Sequence, residues 1–245
     1  MILITNDDGI ESEGLKALAR VMESLDTVYV VAPDRERSAT GMSVTLRHPL
    51  RVQKIADRTY AVDGTPVDCV NLALGVLMPT WPKILISGIN EGSNLGNDIY
   101  YSGTVAAAIR GAFLKIPAIA ISIVDIRPYH YDTAADIALR IAKSVLQNGI
   151  PAGTLLNVNV PDLPLSEIQG IEITRQDRTS YLPTFEKRID PKGFEYYWLR
   201  GYRENPKKAN ETDLYEVYQK KVSITPLQLD LTDYKMVEEL SRWDW

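Results

Sequence analysis

Cysteine and histidine, the residues most used for soft metal sites, are scarce in this sequence. Cys69 is the only cysteine among 245 residues, which excludes an internal disulfide and a thiolate metal cluster. A single thiol fits a reducing compartment, so we expect a cytoplasmic protein. The two histidines, His48 and His130, are too few for a multi-histidine metal centre. We expect His48 to be structural and assign no role to His130.

Long apolar runs and an excess of positive charge are also missing. A stretch such as Pro117–Val124 is far shorter than the roughly 20 apolar residues of a membrane span. The chain passes from Met1 into Ile2-Leu3-Ile4 and then into acidic residues, so we expect no signal peptide. The formal net charge of -5 argues against binding of a nucleic acid polymer. Phosphate recognition would therefore need a local device, such as a metal ion or a helix N-terminus.

Several motifs of known phosphate-handling enzymes are absent. The sequence contains no G-x-x-x-x-G-K-[ST] loop, and no G-x-G-x-x-G opens the first helix. A haloacid-dehalogenase-type phosphatase needs aspartates two positions apart after its first strand, whereas Asp7 and Asp8 are adjacent. Cys69 cannot be a tyrosine-phosphatase nucleophile, because the position of the required arginine holds Gly75.

Short apolar runs alternate with apolar stripes at helical spacing. The runs that suit buried parallel strands are Ile2–Thr5, Val28–Ala32, Lys83–Ser87 and Pro117–Ser122. The helical stripes start near Leu15, Thr65, Val105 and Ala138. This alternation predicts an α/β fold with a doubly wound sheet.

The character of the chain changes after residue 160, where prolines punctuate short strand-like runs. Phe194–Leu199 and Tyr215–Ile224 predict β-rich excursions on the edge of the sheet. Asp230–Trp245 could close the chain with a short helix. Its apolar residues, Trp243 and Trp245 among them, could instead pack on a partner subunit.

Two adjacent carboxylates, Asp7 and Asp8, directly follow the first strand, at the edge where α/β sheets bind their ligands. Gly9 permits the turn that both side chains need in order to face one ion. Without a cation, two carboxylates held together repel each other and retain a proton. The pair indicates a site for a hard metal ion. A polar turn that caps the following helix is the equally balanced alternative.

Two further loops follow strands at the same edge. Pro33–Gly41 carries small hydroxyl residues, and on its own a solvated, salt-bridged loop is the better interpretation. Ser87–Gly96 is dense in glycine and asparagine, and asparagine oxygens suit Mg²⁺ or Mn²⁺. We therefore expect the ends of the three strands to converge on one crevice.

Ser102-Gly103-Thr104 immediately precedes the helix predicted at Val105–Phe113. The amides of a first helical turn and two hydroxyls form an anion site, although an ordinary N-cap would use the same residues. An anion site beside an oxygen-ligand metal site is what phosphoryl hydrolysis requires. Its proximity to the asparagine-rich loop therefore favours the anion site.

Five motifs, taken together in this order and spacing, closely resemble the SurE survival-protein family of nucleotidases. They are Ile4–Gly9, Val31–Ser38, Gly64–Cys69, Ser87–Gly96 and Tyr101–Ala108. The likeness extends through Leu156–Pro161 to Val222–Leu227, so it covers nearly the whole chain. The stretch Tyr181–Asn210 matches only loosely.

This resemblance implies a Rossmann-like, mostly parallel sheet in a single domain over residues 1–245. Residues 1–160 would form the core, and residues 161–245 would form β-hairpin excursions and a C-terminal oligomerisation segment. It also implies a metal-dependent 5'-nucleotidase that hydrolyses nucleoside 5'-monophosphates and often 3'-monophosphates, with some members acting on short polyphosphate. Homodimers or homotetramers that exchange C-terminal segments are expected.

The same resemblance assigns roles to individual residues. One Mg²⁺ or Mn²⁺ per subunit would be held by Asp7, Asp8, Ser38 and Asn90. Phosphate would be contacted by Asn94, Ser102, Gly103 and Thr104. Asp8 is our candidate general base, although hydroxide on the ion could serve without it.

Two non-catalytic alternatives compete with this enzyme. Phospho-receiver modules also carry paired acids after a first strand, but they need an acceptor aspartate where Ser87 and Ser122 stand. A nucleotide-binding module without hydrolysis is the other alternative. Tyr100, Tyr101 and Tyr129 could stack on a base, and each is equally expected in a core or an interface.

Overall fold

The computed structural model describes residues 1–124, 129–179, 181–203 and 210–245. The strands in these ranges are β1 (Ile2–Thr5), β2 (Val28–Pro33), β3 (Val52–Ala56), β4 (Thr59–Val62), β5 (Ile84–Glu91), β6 (Ala118–Val124), β7 (Thr154–Pro161), β8 (Ile171–Ile173), β9 (Tyr181–Ile189), β10 (Glu195–Arg203) and β11 (Val222–Gln228). The α-helices are α1 (Glu13–Met22), α2 (Pro66–Leu72), α3 (Gly103–Phe113), α4 (Tyr131–Asn148), α5 (Asp213–Tyr218) and α6 (Tyr234–Leu240).

Nine strands form one twisted sheet in the order β3-β4-β2-β1-β5-β6-β7-β11-β8. The stretch from β4 to β7 is entirely parallel and has the strand order of the Rossmann fold. Outside it, β3 and β11 run antiparallel to β4 and β7, and β8 lies parallel to β11. The predicted Rossmann-like, mostly parallel sheet with a β-rich C-terminal extension is confirmed.

The core consists of two layers, because side chains alternate between the faces of each strand. In β1, Ile2 and Ile4 face the layer that contains α1 and α4, whereas Leu3 faces the layer that contains α2 and α3. All three are fully buried. The uninterrupted apolar run that predicted β1 therefore reflects a strand covered on both faces.

The helix expected near Thr65 is present as α2, and its start is capped. The Thr65 hydroxyl accepts a hydrogen bond from the Asp68 amide at 3.2 Å, and Asp68 Oδ2 accepts one from the Thr65 amide at 2.9 Å. Pro66 occupies the first turn, where its missing N–H costs nothing. This reciprocal cap fixes the point at which the chain turns from β4 into the helix.

The predicted strand Tyr215–Ile224 is partly wrong. Its first residues lie in α5, and only the residues from Val222 onwards enter β11. The helix forms because the Thr212 hydroxyl accepts a hydrogen bond from the Tyr215 amide at 3.3 Å, which caps its first turn. The predicted run Phe194–Leu199 falls largely in β10, which pairs with β9 in a separate two-stranded hairpin.

The helix expected in Asp230–Trp245 is present as α6, and none of its residues is buried. Within the described ranges, no helix has the length and apolar character needed to cross a membrane.

The order of the sheet reverses between β1 and β5, since the chain adds strands to one side through β4 and to the other side from β5 onwards. In doubly wound sheets, ligands bind at this switch point, outside the carboxyl ends of the strands. Asp7 and Asp8 follow β1, and Asn90 lies at the end of β5. The topology thus places these three residues at the edge of the sheet where the crevice is expected.

Candidate metal and phosphate site

The acidic pair lies at a bend where the chain leaves β1. Asn6 stabilises this bend, because its Nδ2 donates to the Gly9 carbonyl at 3.0 Å and its Oδ1 accepts from the Gly9 amide at 3.2 Å. Gly9 has a φ of 99°, a value that favours glycine. A Cβ at this position would lie 3.0 Å from the carbonyl carbon of Arg35. Glycine is needed here for its conformation and for the close approach of the neighbouring loop.

Asp7 is 3% exposed and lies against the first turn of α3. The Thr104 hydroxyl donates to Asp7 Oδ1, and the backbone amides of Gly103 and Thr104 also interact with this carboxylate. Burial raises the pKa of Asp7 above its ordinary value, and these hydrogen bonds oppose the rise. The N-terminus of α3 therefore orients the buried carboxylate.

Asp8 is half-buried, and its Oδ2 accepts a hydrogen bond from the Glu91 amide at 3.2 Å. Its pKa is raised to about 7, first by burial and then by the charge of Asp7. The charges of Glu91 and Glu36 add to this effect. The two carboxylates are thus close enough to repel each other, which is the electrostatic environment that a divalent cation would relieve.

The loop that follows β2 reaches the acidic pair. The Arg37 amide donates to the main-chain carbonyl of Asp7 at 2.7 Å. Ser38, one residue further, is exposed, and its Oγ donates to Glu36 Oε1 at 2.7 Å. Since the charge of Glu36 acts on Asp8, this loop passes near the carboxylates. A contact of the Ser38 hydroxyl with an ion held by them remains a prediction.

Asn90 lies half-buried near the end of β5, next to the residue whose amide reaches Asp8. Its Nδ2 donates to the Gly92 carbonyl at 2.7 Å. The amide nitrogen is engaged by this bond, and the amide oxygen is the atom that suits a hard cation. β5 continues through Glu91 and does not end at Ser87, so Asn90 is held by the sheet.

Asn94 is 6% exposed and lies within a network of buried amides. Its Nδ2 donates to the Ser122 hydroxyl at 2.8 Å, and its backbone amide donates to Asn159 Oδ1 at 2.9 Å. The side chains of Asn157 and Asn159 both donate to its carbonyl. Asn157 and Asn159 are not among the site residues predicted from the sequence. Two asparagines at alternate positions of an otherwise apolar strand are the pattern that could have indicated a buried polar network there.

The first turn of α3 starts with an ordinary N-cap, which is one of the two alternatives that the sequence left open. Ser102 is the N-cap, since its Oγ accepts from the Val105 amide at 3.0 Å. Thr104 contacts Asp7 instead. Gly103 packs so closely that a Cβ there would lie 2.9 Å from both Cβ and Oδ2 of Asp7. Contact of these three residues with phosphate remains a prediction.

The donor set suits a hard divalent cation. Among the described residues, no group of three or more His, Cys, Asp or Glu side chains could hold a metal ion. A centre in this crevice would therefore combine the two carboxylates with the Ser38 hydroxyl and the Asn90 amide oxygen. All of these are oxygen ligands, which Mg²⁺ and Mn²⁺ prefer. The crowded carboxylates and the oxygen donors fit such an ion.

The comparisons with known proteins agree on one family. The sequence pattern of the family described as Survival protein SurE matches residues 2–182. A protein of Pelobacter propionicus named 5'-nucleotidase SurE is 49% identical over 243 residues, which cover 99% of this chain and 98% of the relative. A protein of Legionella pneumophila subsp. pneumophila with the same name is 48% identical over 241 residues, covering 98% and 95%.

The fold also matches a solved structure. The crystal structure of the Sure protein from Aquifex aeolicus superposes with a TM-score of 0.89, covers 98% of each chain and is 44% identical in sequence. The agreement covers nearly the whole chain.

Proposed function

The chain belongs to the SurE family, and from this premise we propose that it is a 5'-nucleotidase, a divalent-metal-dependent phosphomonoesterase that releases phosphate from nucleoside 5'-monophosphates. The supporting observation is the contact of three separate segments with one acidic pair. Arg37 binds the main chain of Asp7, Thr104 binds its carboxylate, and Glu91 binds Asp8. Relatives that are nearly half identical over the full length carry the name of this activity.

In this proposal, Asp7, Asp8, Ser38 and Asn90 hold one Mg²⁺ or Mn²⁺ per subunit. When bound, the ion supplies positive charge that polarises the phosphate. The helix start at Ser102-Gly103-Thr104 and the side chain of Asn94 contact the phosphate oxygens, where negative charge must be stabilised. Asp8 is our candidate to accept a proton from the attacking water.

A substrate panel tests the activity. Metal-stripped protein is assayed for phosphate release from 5'- and 3'-AMP, 5'- and 3'-GMP and tripolyphosphate, with Mg²⁺ or Mn²⁺ added in turn. We expect release from the 5'-monophosphates only when metal is present, together with release from the 3'-monophosphates and slower release from polyphosphate. Asp7→Asn, folded as judged by circular dichroism, should be inactive. Nucleotide binding without phosphate release would instead indicate a non-catalytic nucleotide-binding module.

We further propose that the chain forms homodimers or homotetramers through its C-terminal segment. No residue of α6 is buried, and Trp243 and Trp245 beyond it are 53% and 88% exposed. A groove of about 660 Å³ lies between α3 and the end of β11 and is lined largely by apolar side chains such as Ile109, Phe113 and Leu227. The C-terminal segment of a second copy, which is rich in exposed apolar side chains, would suit this groove.

Two smaller expectations remain proposals. A cytoplasmic location rests on the single, buried and unpaired Cys69, and fractionation of cells that express the tagged chain would test it. Residues 1–160 and 161–245 were expected to form the core and its extension. β11 of the extension pairs with β7 of the core, so the two parts share one sheet. We therefore propose one domain, and limited proteolysis should not release residues 1–160 as a stable fragment.

A further inference from the structure

Four polar side chains form a row beside the crevice. Asn90 of β5, Ser122 of β6 and Asn159 of β7 are direct partners across adjacent strands. Asn157 lies two positions before Asn159 in the same strand and therefore on the same face. Ser122, Asn157 and Asn159 are fully buried. The row starts at Asn90, a proposed metal ligand, and continues across β6 and β7. Most of the other residues in these two strands are apolar.

The row holds the backbone of a single residue, Asn94, from both sides. The Asn94 carbonyl accepts from Asn157 Nδ2 at 2.8 Å and from Asn159 Nδ2 at 3.1 Å. The Asn94 amide donates to Asn159 Oδ1 at 2.9 Å. Both polar groups of this peptide position are thus bound by side chains of β7 and not by neighbouring loop residues.

The side chain of Asn94 is fixed by the same row. Its Nδ2 donates to Ser122 Oγ at 2.8 Å, and a primary amide carries two N–H groups. One N–H is therefore used to orient the amide, and a contact with a ligand would use the second. The Asn94 backbone amide, in contrast, already has a partner, so a phosphate contact would come from the side chain.

We infer that Asn157, Asn159 and Ser122 are positioning residues that hold Asn94 with one amide N–H directed to the substrate phosphate. This inference rests on the proposed function, because it takes the phosphate of a nucleoside monophosphate as the ligand. Buried amides are costly unless they are hydrogen-bonded. A loop residue held by three such bonds has little freedom, which is what recognition of a small anion requires.

The test measures phosphate affinity separately from metal affinity. Asn159→Leu has nearly the same shape but removes two of the three backbone contacts. We expect the KM for AMP, the inhibition constant of inorganic phosphate and its dissociation constant measured calorimetrically with Mn²⁺ all to rise about tenfold. The kcat should stay within about threefold, and the dissociation constant of Mn²⁺ alone should stay within about twofold. Ser122→Ala, which frees the Asn94 amide, should change the same constants in the same direction.

Asn71→Leu is the matched control. It removes an amide whose Oδ1 accepts from Arg110 Nε at 2.6 Å in the packing of α2 against α3, and it should leave the phosphate constants unchanged. If Asn159→Leu does not fold, Asn157→Leu and Ser122→Ala give the same readouts, because Asn157→Leu leaves the Asn94 carbonyl with one donor.

A double-mutant cycle separates positioning from general stability. In an Asn94→Ala background, Asn159→Leu should raise the phosphate constants no further, because Asn159 acts on phosphate binding only through Asn94. Unchanged phosphate affinity in the folded variants, or a full additional loss in the Asn94→Ala background, would overturn the inference. Failure of the wild-type protein to release phosphate from any nucleotide would instead reject the proposed activity, and the calorimetric phosphate constants would still test the positioning role.

Discussion

The Thr104 hydroxyl donates a hydrogen bond to Oδ1 of the buried Asp7 and thereby joins the start of α3 to the end of β1. These residues are 97 positions apart in the sequence. One carboxylate therefore depends on three features: the turn at Gly9, the helix start and the main-chain contact from Arg37. The predictions below concern this dependence.

Thr104→Val keeps the shape of the side chain and removes its donor. Because residues that orient a metal ligand typically contribute 10- to 100-fold to activity, we expect kcat/KM to fall by about that factor. The free energy of unfolding should fall by about 1–3 kcal/mol, since a buried carboxylate loses a partner. Steady-state kinetics and urea denaturation measure the two effects.

Thr174→Val is the control for this change. Thr174 is 6% exposed, and its hydroxyl pairs with that of Thr225 at 2.8 Å. The Thr174→Val variant should lose about 1 kcal/mol in its free energy of unfolding, and its kcat/KM should stay unchanged. An equal loss of activity in both variants would show that the Thr104 hydroxyl has no special relation to Asp7.

Gly103→Ala places a methyl group 2.9 Å from Cβ and Oδ2 of Asp7, which is too close for either to stay in place. We expect the carboxylate to shift and activity to fall at least about tenfold, as a displaced metal ligand would cause. At Gly75 a Cβ meets nothing within 4 Å, so Gly75→Ala should keep full activity and gain up to about 1 kcal/mol of stability. Full activity of Gly103→Ala would contradict the tight packing of α3 on Asp7.

The pKa of Asp8 predicts how the metal-free protein responds to pH. It rises from 3.8 to about 7 in the folded state, so folding favours the protonated form. The contribution of protonated Asp8 to the free energy of unfolding is fully present below about pH 4 and is lost as the pH rises through 7. In EDTA, wild type should therefore lose stability relative to Asp8→Asn between pH 4 and pH 8, on the order of 1 kcal/mol after solvent screening.

Denaturation midpoints in EDTA at pH 4, 6 and 8 check this prediction. Addition of Mn²⁺ at pH 8 should stabilise wild type and have little effect on Asp8→Asn, because a bound cation replaces the proton. A constant difference between the two proteins across this pH range would show that Asp8 is not perturbed.

Oligomerisation should depend on the aromatic residues at the C-terminus. Replacing both Trp243 and Trp245 with alanine removes the large exposed apolar groups that follow α6, and we expect light scattering to show a shift towards monomer. Trp81→Ala is the control, because this residue is 56% exposed and lies outside the segment. An unchanged oligomer in the double variant would reject the proposed role of this segment.

Most of the fold follows from local patterns in the sequence. Strands buried on both faces, such as β1, leave continuous apolar runs, and the caps at Thr65 and Ser102 mark helix starts. The helix α5 was missed because Tyr215–Tyr218 are also good strand formers, and the cap at Thr212 together with tertiary packing decides the outcome. The hairpin of β3 and β4 was also missed, since every residue of β3 is exposed and its apolar residues, Val52, Ile55 and Ala56, follow no regular alternation.

The site was predictable only in part. Asp7, Asp8 and the start of α3 could be selected because each directly follows a strand or opens a helix. The sequence could not show that Thr104 binds Asp7 or that Asn159 binds Asn94, which is 65 positions away. Such contacts depend on the order of the strands in the sheet, which the local patterns of this chain do not give. The roles of Ser38, Asn90 and Asn94 came from the family resemblance and remain predictions.

The central claim is that Asp7 and Asp8 hold one divalent ion together. The most direct measurement is an anomalous difference map from crystals soaked in Mn²⁺, collected near the manganese absorption edge. We predict one peak per subunit, at about 2.0–2.4 Å from a carboxylate oxygen of each aspartate, as expected for a hard cation with oxygen ligands. Carboxylates that face apart with no peak between them, in crystals of protein that is active with Mn²⁺, would contradict the account.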